Sequence, residues 1–378
     1  MFDKYEGIIN LDQVLYDKYN YNFDGNLEDF YNQNFIKLEG VGKDALCWIL
    51  YDGVEYLFKP LNDFDYNIWG ELLTEEIAKD FEIPCASYRV GKLHGQSGII
   101  SRSFLKENDT LILGSQLFQD FLNSGDNDIF LLKNDKFIEE YQIPKYFFEL
   151  ATYDQKRYTL NYLNNLEHVK TILNSDDSLD KKQVPKIVES MTDMLIFDLI
   201  TLQGDRHPNN WGIVQNGNKV KFSPLFDNAA SFGLGFRFMN ERCNDFRANF
   251  LDYFSKRNTE KVYSFIYQAR PNFTLSIDNV IDVTTRLKDT VPIVLEKLFY
   301  KSDFKMREKI SNLILGLSFD YFDVIIKRVE SLNGIKMEDD VYFYISNVFE
   351  LNINNLKNVI NKCWRNIDDE SRKNIKSI

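Results

Sequence analysis

The sequence predicts an α+β chain in two lobes, a small antiparallel β lobe followed by a larger, mainly helical one. Three observations carry that expectation. Short strand-like runs surround one helical pattern up to about residue 105. Long helical patterns follow, as at Lys145–Leu163, Val184–Leu202 and Met306–Leu315. A loop, two brief strands and a second loop then interrupt the helices at Gly204–Val214, Lys219–Phe222 and Pro224–Asp227. The expected boundaries are residues 1–35 as an N-terminal extension, 36–105 as the β lobe and 106–378 as the helical lobe.

A chain of 378 residues, 44 % hydrophobic and 15 % aromatic, has ample material for a buried core. Its net charge of −12 gives no diffuse positive field, so direct nucleic-acid binding is not expected. Cys47, Cys85, Cys243 and Cys363 are scattered and form no CxxC pair, and three histidines cannot complete a zinc spacing. Unpaired cysteines fit a reducing compartment. The N-terminus lacks the pattern of a cleaved signal, and no apolar run is long enough to cross a membrane. These features give a cytoplasmic expectation; secretion by a route without a cleaved signal would give the same sequence.

In chain order, residues 1–35 are rich in Tyr, Asn and Asp with weak periodicity, and suggest no role. Asp44–Tyr51 and Val54–Lys59 flank Asp52-Gly53, a dipeptide suited to a two-residue hairpin turn. Glu71–Phe81 places Leu72, Leu73, Ile77 and Phe81 at roughly helical spacing, an amphipathic pattern. Strands at Ala86–Val90 and Gly98–Phe104 complete a small antiparallel sheet. The aromatic stretches Tyr263–Tyr267 and Tyr342–Phe349 read as helical core.

The chemistry concentrates in Gly204-Asp205-Arg206-His207-Pro208-Asn209-Asn210-Trp211-Gly212. Phosphoryl transfer from ATP needs a carboxylate at the acceptor hydroxyl, oxygen ligands for magnesium and cationic cover for the phosphates. Asp205 can be the base, and Asn210, at the Asp-x-x-x-x-Asn interval, offers a neutral amide oxygen. Asp227 ends the second brief strand, where a carboxylate suits a hard cation. Taken singly, each element also reads as an ordinary turn or strand end, because Gly, Pro, Asn and Asp are turn formers. The joint layout of helix, Asp loop, two strands and Asp separates the readings. Asp198 lies among Met194, Leu195, Leu199 and Leu202, so its carboxylate needs a partner and is expected to brace the loop. His207 is expected to order the loop rather than to move a proton.

GDRHPNNWGIV followed by SPLFDNAASFG resembles the kinase domain of the HipA-like serine/threonine kinases, known from bacterial toxin–antitoxin systems. The likeness extends upstream through Tyr56–Lys59, Glu71–Pro84 and Gly98–Phe104, and so spans roughly residues 40–235. It implies a protein-kinase-like bilobal fold, ATP and Mg2+ as cofactors, a protein acceptor with a Ser or Thr hydroxyl, and an antitoxin-type protein partner. By position it implies Asp205 as catalytic base and Asn210 and Asp227 as metal ligands. Lys59 takes the place of the phosphate-binding lysine, and Glu71, opening the next helix, that of its ion-pair partner, with Glu75 and Glu76 as competitors. Gly40, Gly42 and Lys43 stand where a phosphate-covering loop belongs, although Gly-x-Gly-Lys alone is a weak signal. The sequence departs from the family in two places. No Ser or Thr occurs in residues 38–46, where family members often carry an autoinhibitory phosphorylated serine, and strands begin too early for the usual N-terminal subdomain. The Asp-Arg-His-x-x-Asn core also occurs in lipid kinases. Alternatives are therefore a small-molecule or lipid kinase of the same fold, or a nucleotide-binding pseudokinase acting as an interaction module.

Overall fold

The computed structural model describes residues 1–19, 36–39, 46–61, 66–123, 163–176, 179–234, 269, 271–272 and 289–376. The expected helix at 145–163 and the aromatic run at 263–267 lie almost wholly outside the described residues, as do Gly40, Gly42 and Lys43. The chain forms two compact units. The first takes in Met1–Phe104 and Phe319–Ser346, and the second most of the remainder.

The first unit is built on a six-stranded sheet. Its strands are β1 (Ile9–Asn10), β2 (Ile36–Glu39), β3 (Leu46–Tyr51), β4 (Val54–Pro60), β5 (Ser87–Leu93) and β6 (Gln96–Arg102). Their order is β1-β5-β6-β4-β3-β2, antiparallel except for the parallel β1–β5 pair. The Asp52-Gly53 turn forms with φ of 51° and 74°, the two positive values that a type I′ turn demands. His94-Gly95 repeats it at 51° and 73° between β5 and β6. Alternation buries Cys47, Ile49 and Tyr51 on β3 against Tyr56 and Phe58 on β4. The N-terminal residues, which suggested no role in the sequence, belong to this unit. β1 lengthens the sheet, and helix α1 (Leu11–Tyr19) sends Leu11, Val14 and Leu15 into the same core.

Helix α2 spans Asn67–Asp80 and corrects two expectations. It begins before Glu71, which therefore lies inside the helix and does not open it. Its cap residue Tyr66 makes no side-chain cap bond, so the sequence shows no start signal there. Nor is it amphipathic in the ordinary sense, because every residue from Trp69 to Ala78 is buried. One face meets β5 and another meets helix α8 (Phe319–Asn333), a contact that no local pattern shows.

In the second unit, β7 (Thr110–Leu113), β8 (Gly212–Asn216) and β9 (Lys219–Phe222) form an antiparallel sheet in that order. β7 was not expected, since TLIL is too short to show a period. Around this sheet stand α3 (Gly114–Asn123), α4 (Leu166–Ser175), α5 (Val184–Thr201), α6 (Val291–Lys301) and α7 (Phe304–Leu315). Asn352, on the long helix α9 (Asp339–Lys376), donates to the Leu199 and Ile200 carbonyls at 2.9 Å each, closing bonds that the end of α5 leaves open. Among the described cysteines, Cys47 and Cys363 are buried, and burial pushes the Cys47 thiol up to about 12, which makes it inert.

Candidate active site

In the second unit the candidate residues hang on α5 and the β8–β9 hairpin. α5 ends where Leu202 turns left-handed (φ 53°), releasing the chain into Gln203-Gly204-Asp205. The hairpin then folds Asn210 and Asp227 back to one end, because Gly212 at the start of β8 accepts from the Ser223 N–H just after β9 at 3.0 Å. Its tip is a two-residue turn with Gly217 at φ 56°, the glycine that a type II′ turn places first.

Arg206 joins the pieces. Its side chain is 1 % exposed, and its guanidinium spends every N–H. Nε and Nη2 clamp Asp198 on α5 at 3.1 and 2.9 Å. Nη2 also reaches Asn228 Oδ1 at 2.7 Å, and Nη1 donates to the carbonyls of Asn210 (2.9 Å) and Phe226 (2.8 Å). One cation thus fixes the Asp205–Asn210 loop and the Asp227 loop to the same helix. Asp198 is paired, as its apolar neighbours required. Burial pushes its carboxyl upward, and the Arg206 charge pulls it back.

Gln203, 1 % exposed, makes a second tie. Its Oε1 accepts from the Asp205 N–H at 2.9 Å, and its Nε2 donates to the Asp227 carbonyl at 3.2 Å. Asn164 supports the loop from the side of α4, donating to the Arg206 carbonyl at 2.8 Å and accepting from Trp211 Nε1 at 2.8 Å. At the far end, Gln183 before α5 accepts from the Val220 N–H at 2.6 Å and donates to the Asn218 carbonyl at 3.0 Å. The hairpin is therefore splinted along α5 at both ends.

On this frame the Asp205 side chain is 57 % exposed. Asn210 donates its amide N–H to the Asp205 carbonyl at 2.8 Å, which leaves Oδ1 without a partner among the described residues. Asp227 sits at φ 54°, left-handed backbone for a non-glycine residue. Such strain persists where neighbours impose it, and often where function uses it. His207 Nδ1 accepts from the Asn209 N–H at 3.2 Å and its Nε2 lies 3.9 Å from Asp205 Oδ2, so it orders the loop.

In the first unit, Lys59 Nζ on β4 lies 3.9 Å from Glu71 Oε1 on α2, with the glutamate 2 % exposed. The competing acids are engaged elsewhere. Glu75 takes the Tyr88 N–H at 2.7 Å and Lys79 at 2.8 Å, while Glu76 takes Lys79 at 2.5 Å and Arg328 at 3.5 Å. The roles of Gln203, Arg206, Asn164 and Asn228 were not read from the sequence. A signal for Arg206 existed: Asp198 needed a cation, and Arg206 is the nearest one in the chain.

Among the described residues, no group of three or more His, Cys, Asp or Glu side chains could hold a metal ion. Magnesium asks for less, one or two carboxylates with phosphate oxygens and water, and the Asn210 amide oxygen and the Asp227 carboxylate, on loops that Arg206 holds together, fit that donor chemistry. No described helix is long and apolar enough to cross a membrane.

No protein-family model and no curated protein matches the sequence. Solved structures do match. The proinflammatory kinase CtkA of Helicobacter pylori is 14 % identical, with a TM-score of 0.55, covering 86 % of this chain and 96 % of that one. HipA of Shewanella oneidensis MR-1, solved with HipB and operator DNA, is 10 % identical with a TM-score of 0.39, covering 86 % of this chain and 62 % of that one. A Plasmodium vivax ethanolamine kinase is 8 % identical with a TM-score of 0.23, covering 89 % and 92 %. The last two overlap too loosely to argue from. The chain shares its fold with a kinase, as the CtkA structure shows.

Proposed function

We propose that this chain is an ATP- and Mg2+-dependent phosphotransferase, a HipA-like kinase acting on a Ser or Thr hydroxyl of a protein. The observation that carries the reading is the double tie between the two acidic loops. Gln203 joins the Asp205 and Asp227 backbones, and Arg206 anchors both loops to Asp198. A scaffold that ties the backbones of the two acidic loops together suits a reaction whose catalysis is mostly positioning and charge stabilisation. ATP with magnesium, when bound, supplies the transferable phosphoryl group and much of the charge neutralisation that it needs.

The chain's own residues divide the remaining work. Asp205, more than half exposed, receives the acceptor's hydroxyl proton. The Asn210 Oδ1 and the Asp227 carboxylate are the hard oxygen donors. Lys59, oriented by Glu71, meets phosphate charge. Gly40, Gly42 and Lys43 belong to the proposal on sequence grounds, as backbone and charge around the phosphates. A separate antitoxin-type protein partner also stands as an expectation of the resemblance.

Incubation of the full chain with labelled ATP and magnesium tests the proposal. Label should pass to the chain itself or to a protein of a cell lysate, and Asp205→Ala or Asp227→Ala should abolish it. Nucleotide binding without transfer would make the chain a pseudokinase. Turnover driven by small alcohols, sugars or inositides would make it a small-molecule or lipid kinase.

A further inference from the structure

Helix α8 comes from residues 319–333, more than two hundred residues beyond the sheet, yet it belongs to the first unit and packs on α2. The packing is specific. Arg328 Nη1 lies 3.0 Å from Asp80 Oδ1 and 3.5 Å from Glu76 Oε2. At the end of α8, Asn333 is 2 % exposed; its Oδ1 accepts from the Val90 N–H of β5 at 3.0 Å, beyond the reach of the two-residue β1. Its Nδ2 donates to the Val329 carbonyl at 3.0 Å, so both ends of the amide are used. Gly334 follows at φ 62°, and a Cβ there would come within 3.0 Å of the Gly7 Cα, which fixes the chain against the N-terminal segment.

The helix under this contact carries an unusual load of charge. Glu71, Glu75 and Glu76 are each 5 % exposed or less, and Asp80 adds a fourth carboxylate at the end of α2. Buried carboxylates need assigned cations. Lys79 serves Glu75 and Glu76, and Arg328 serves Glu76 and Asp80. With those acids matched, Lys59 falls to Glu71. Only Arg328 among these cations is supplied from outside the β-rich part of the sequence.

We propose that α8 is an internal brace for the Glu71 helix, and that Arg328 is a positioning residue that sets the Lys59–Glu71 pair. Its effect on nucleotide binding rests on the reading of Lys59 as a phosphate-binding lysine. The effect on the pair itself does not.

The test uses the full chain carrying Arg328→Ala, Arg328→Lys or Asp80→Asn. Mass spectrometry follows the rate at which a small amine-reactive reagent modifies Lys59, and hydrogen exchange follows α2. Arg328→Ala should speed Lys59 modification and α2 exchange about fivefold, the low end of a coupling between sites. Arg328→Lys should fall between it and the parent, and exchange in α5 and β8–β9 should not change. ATP KM should rise by a similar factor, with kcat changed less. Should Arg328→Ala fail to unfold cooperatively, Asp80→Asn breaks the same contact from the other side. Unchanged Lys59 modification in a folded variant overturns the brace. If the parent chain binds no ATP, the role of Lys59 fails, whereas faster Lys59 modification still upholds the brace.

Discussion

Arg206→Met removes a buried cation and leaves Asp198 in place, 1 % exposed and with its only ion pair among the described residues gone. Breaking one side of a buried pair costs about 3–5 kcal/mol, a large share of the ~5–15 kcal/mol that holds a typical domain together. The carbonyls of Asn210 and Phe226 and the Asn228 amide oxygen lose donors as well. Each adds about 1–3 kcal/mol where water cannot replace the donor. The double variant Asp198→Leu/Arg206→Met keeps those losses but removes the stranded carboxylate, so it should regain about 3–5 kcal/mol over Arg206→Met. The pH dependence gives a second check. Without Arg206, burial alone acts on Asp198 and raises its folded pKa further. Between the unfolded value, about 3.9, and that raised value, the folded state binds the extra proton, so stability falls as pH rises. The deficit of Arg206→Met should therefore be smaller at pH 5 than at pH 8. Urea unfolding at both pH values measures this, and phosphoryl transfer should be lost in single and double variants alike. Equal urea midpoints for the two variants at both pH values would refute the reasoning.

Three further outcomes follow from other contacts. Gln203→Leu keeps the volume but unties the Asp205 N–H from the Asp227 carbonyl; single-turnover transfer should slow about 100-fold, the scale of a small misplacement at a reacting centre. His168 takes an amide N–H from Asn165 on Nδ1 at 2.7 Å, because Asn165 Oδ1 is held by the His168 backbone N–H, and burial lowers the ring to about 4. Its contribution is therefore complete above the unfolded value of 6.5 and is lost as pH falls toward about 4. The ring is half-buried, so this amounts to ~1–2 kcal/mol after allowance for solvent screening, and the acid-side fall in urea midpoint should shrink in His168→Gln. Gly114→Ala would set a Cβ 2.4 Å from the Trp211 ring and should cost about 1–3 kcal/mol in thermal unfolding, with a shift in Trp emission.

Local chemistry explains what the sequence made legible. Asp52-Gly53 announces its turn because few dipeptides accept two positive φ values, and the loops around Asp205 and Asp227 stand out against helices on both sides. The elements that escaped depend on partners distant in the chain. β1 is two residues long and exists only through β5, and β7 exists only through β8. The start of α2 escaped because Tyr66 contributes no capping side chain. The burial of that helix on both faces required α8, which nothing within residues 67–80 foretells. At the site, the acidic side chains could be named from their spacing, but their supports could not. A buried Arg206 and a buried Gln203 look in sequence like ordinary loop residues, and only the fold shows that their polar atoms are all committed.

The splint along α5 has an evolutionary consequence. Gln183, Asp198, Arg206 and the hairpin they hold lie within one unbroken stretch, residues 183–228, which also contains Asp205, Asn210 and Asp227. Such a block can be duplicated, recombined or grafted onto another scaffold with most of its reinforcement included, the Asn164 and Asn352 bonds excepted. The lysine–glutamate pair has no such portability, since the helix that carries Glu71 is bound by Arg328, 248 residues beyond Asp80 in the chain.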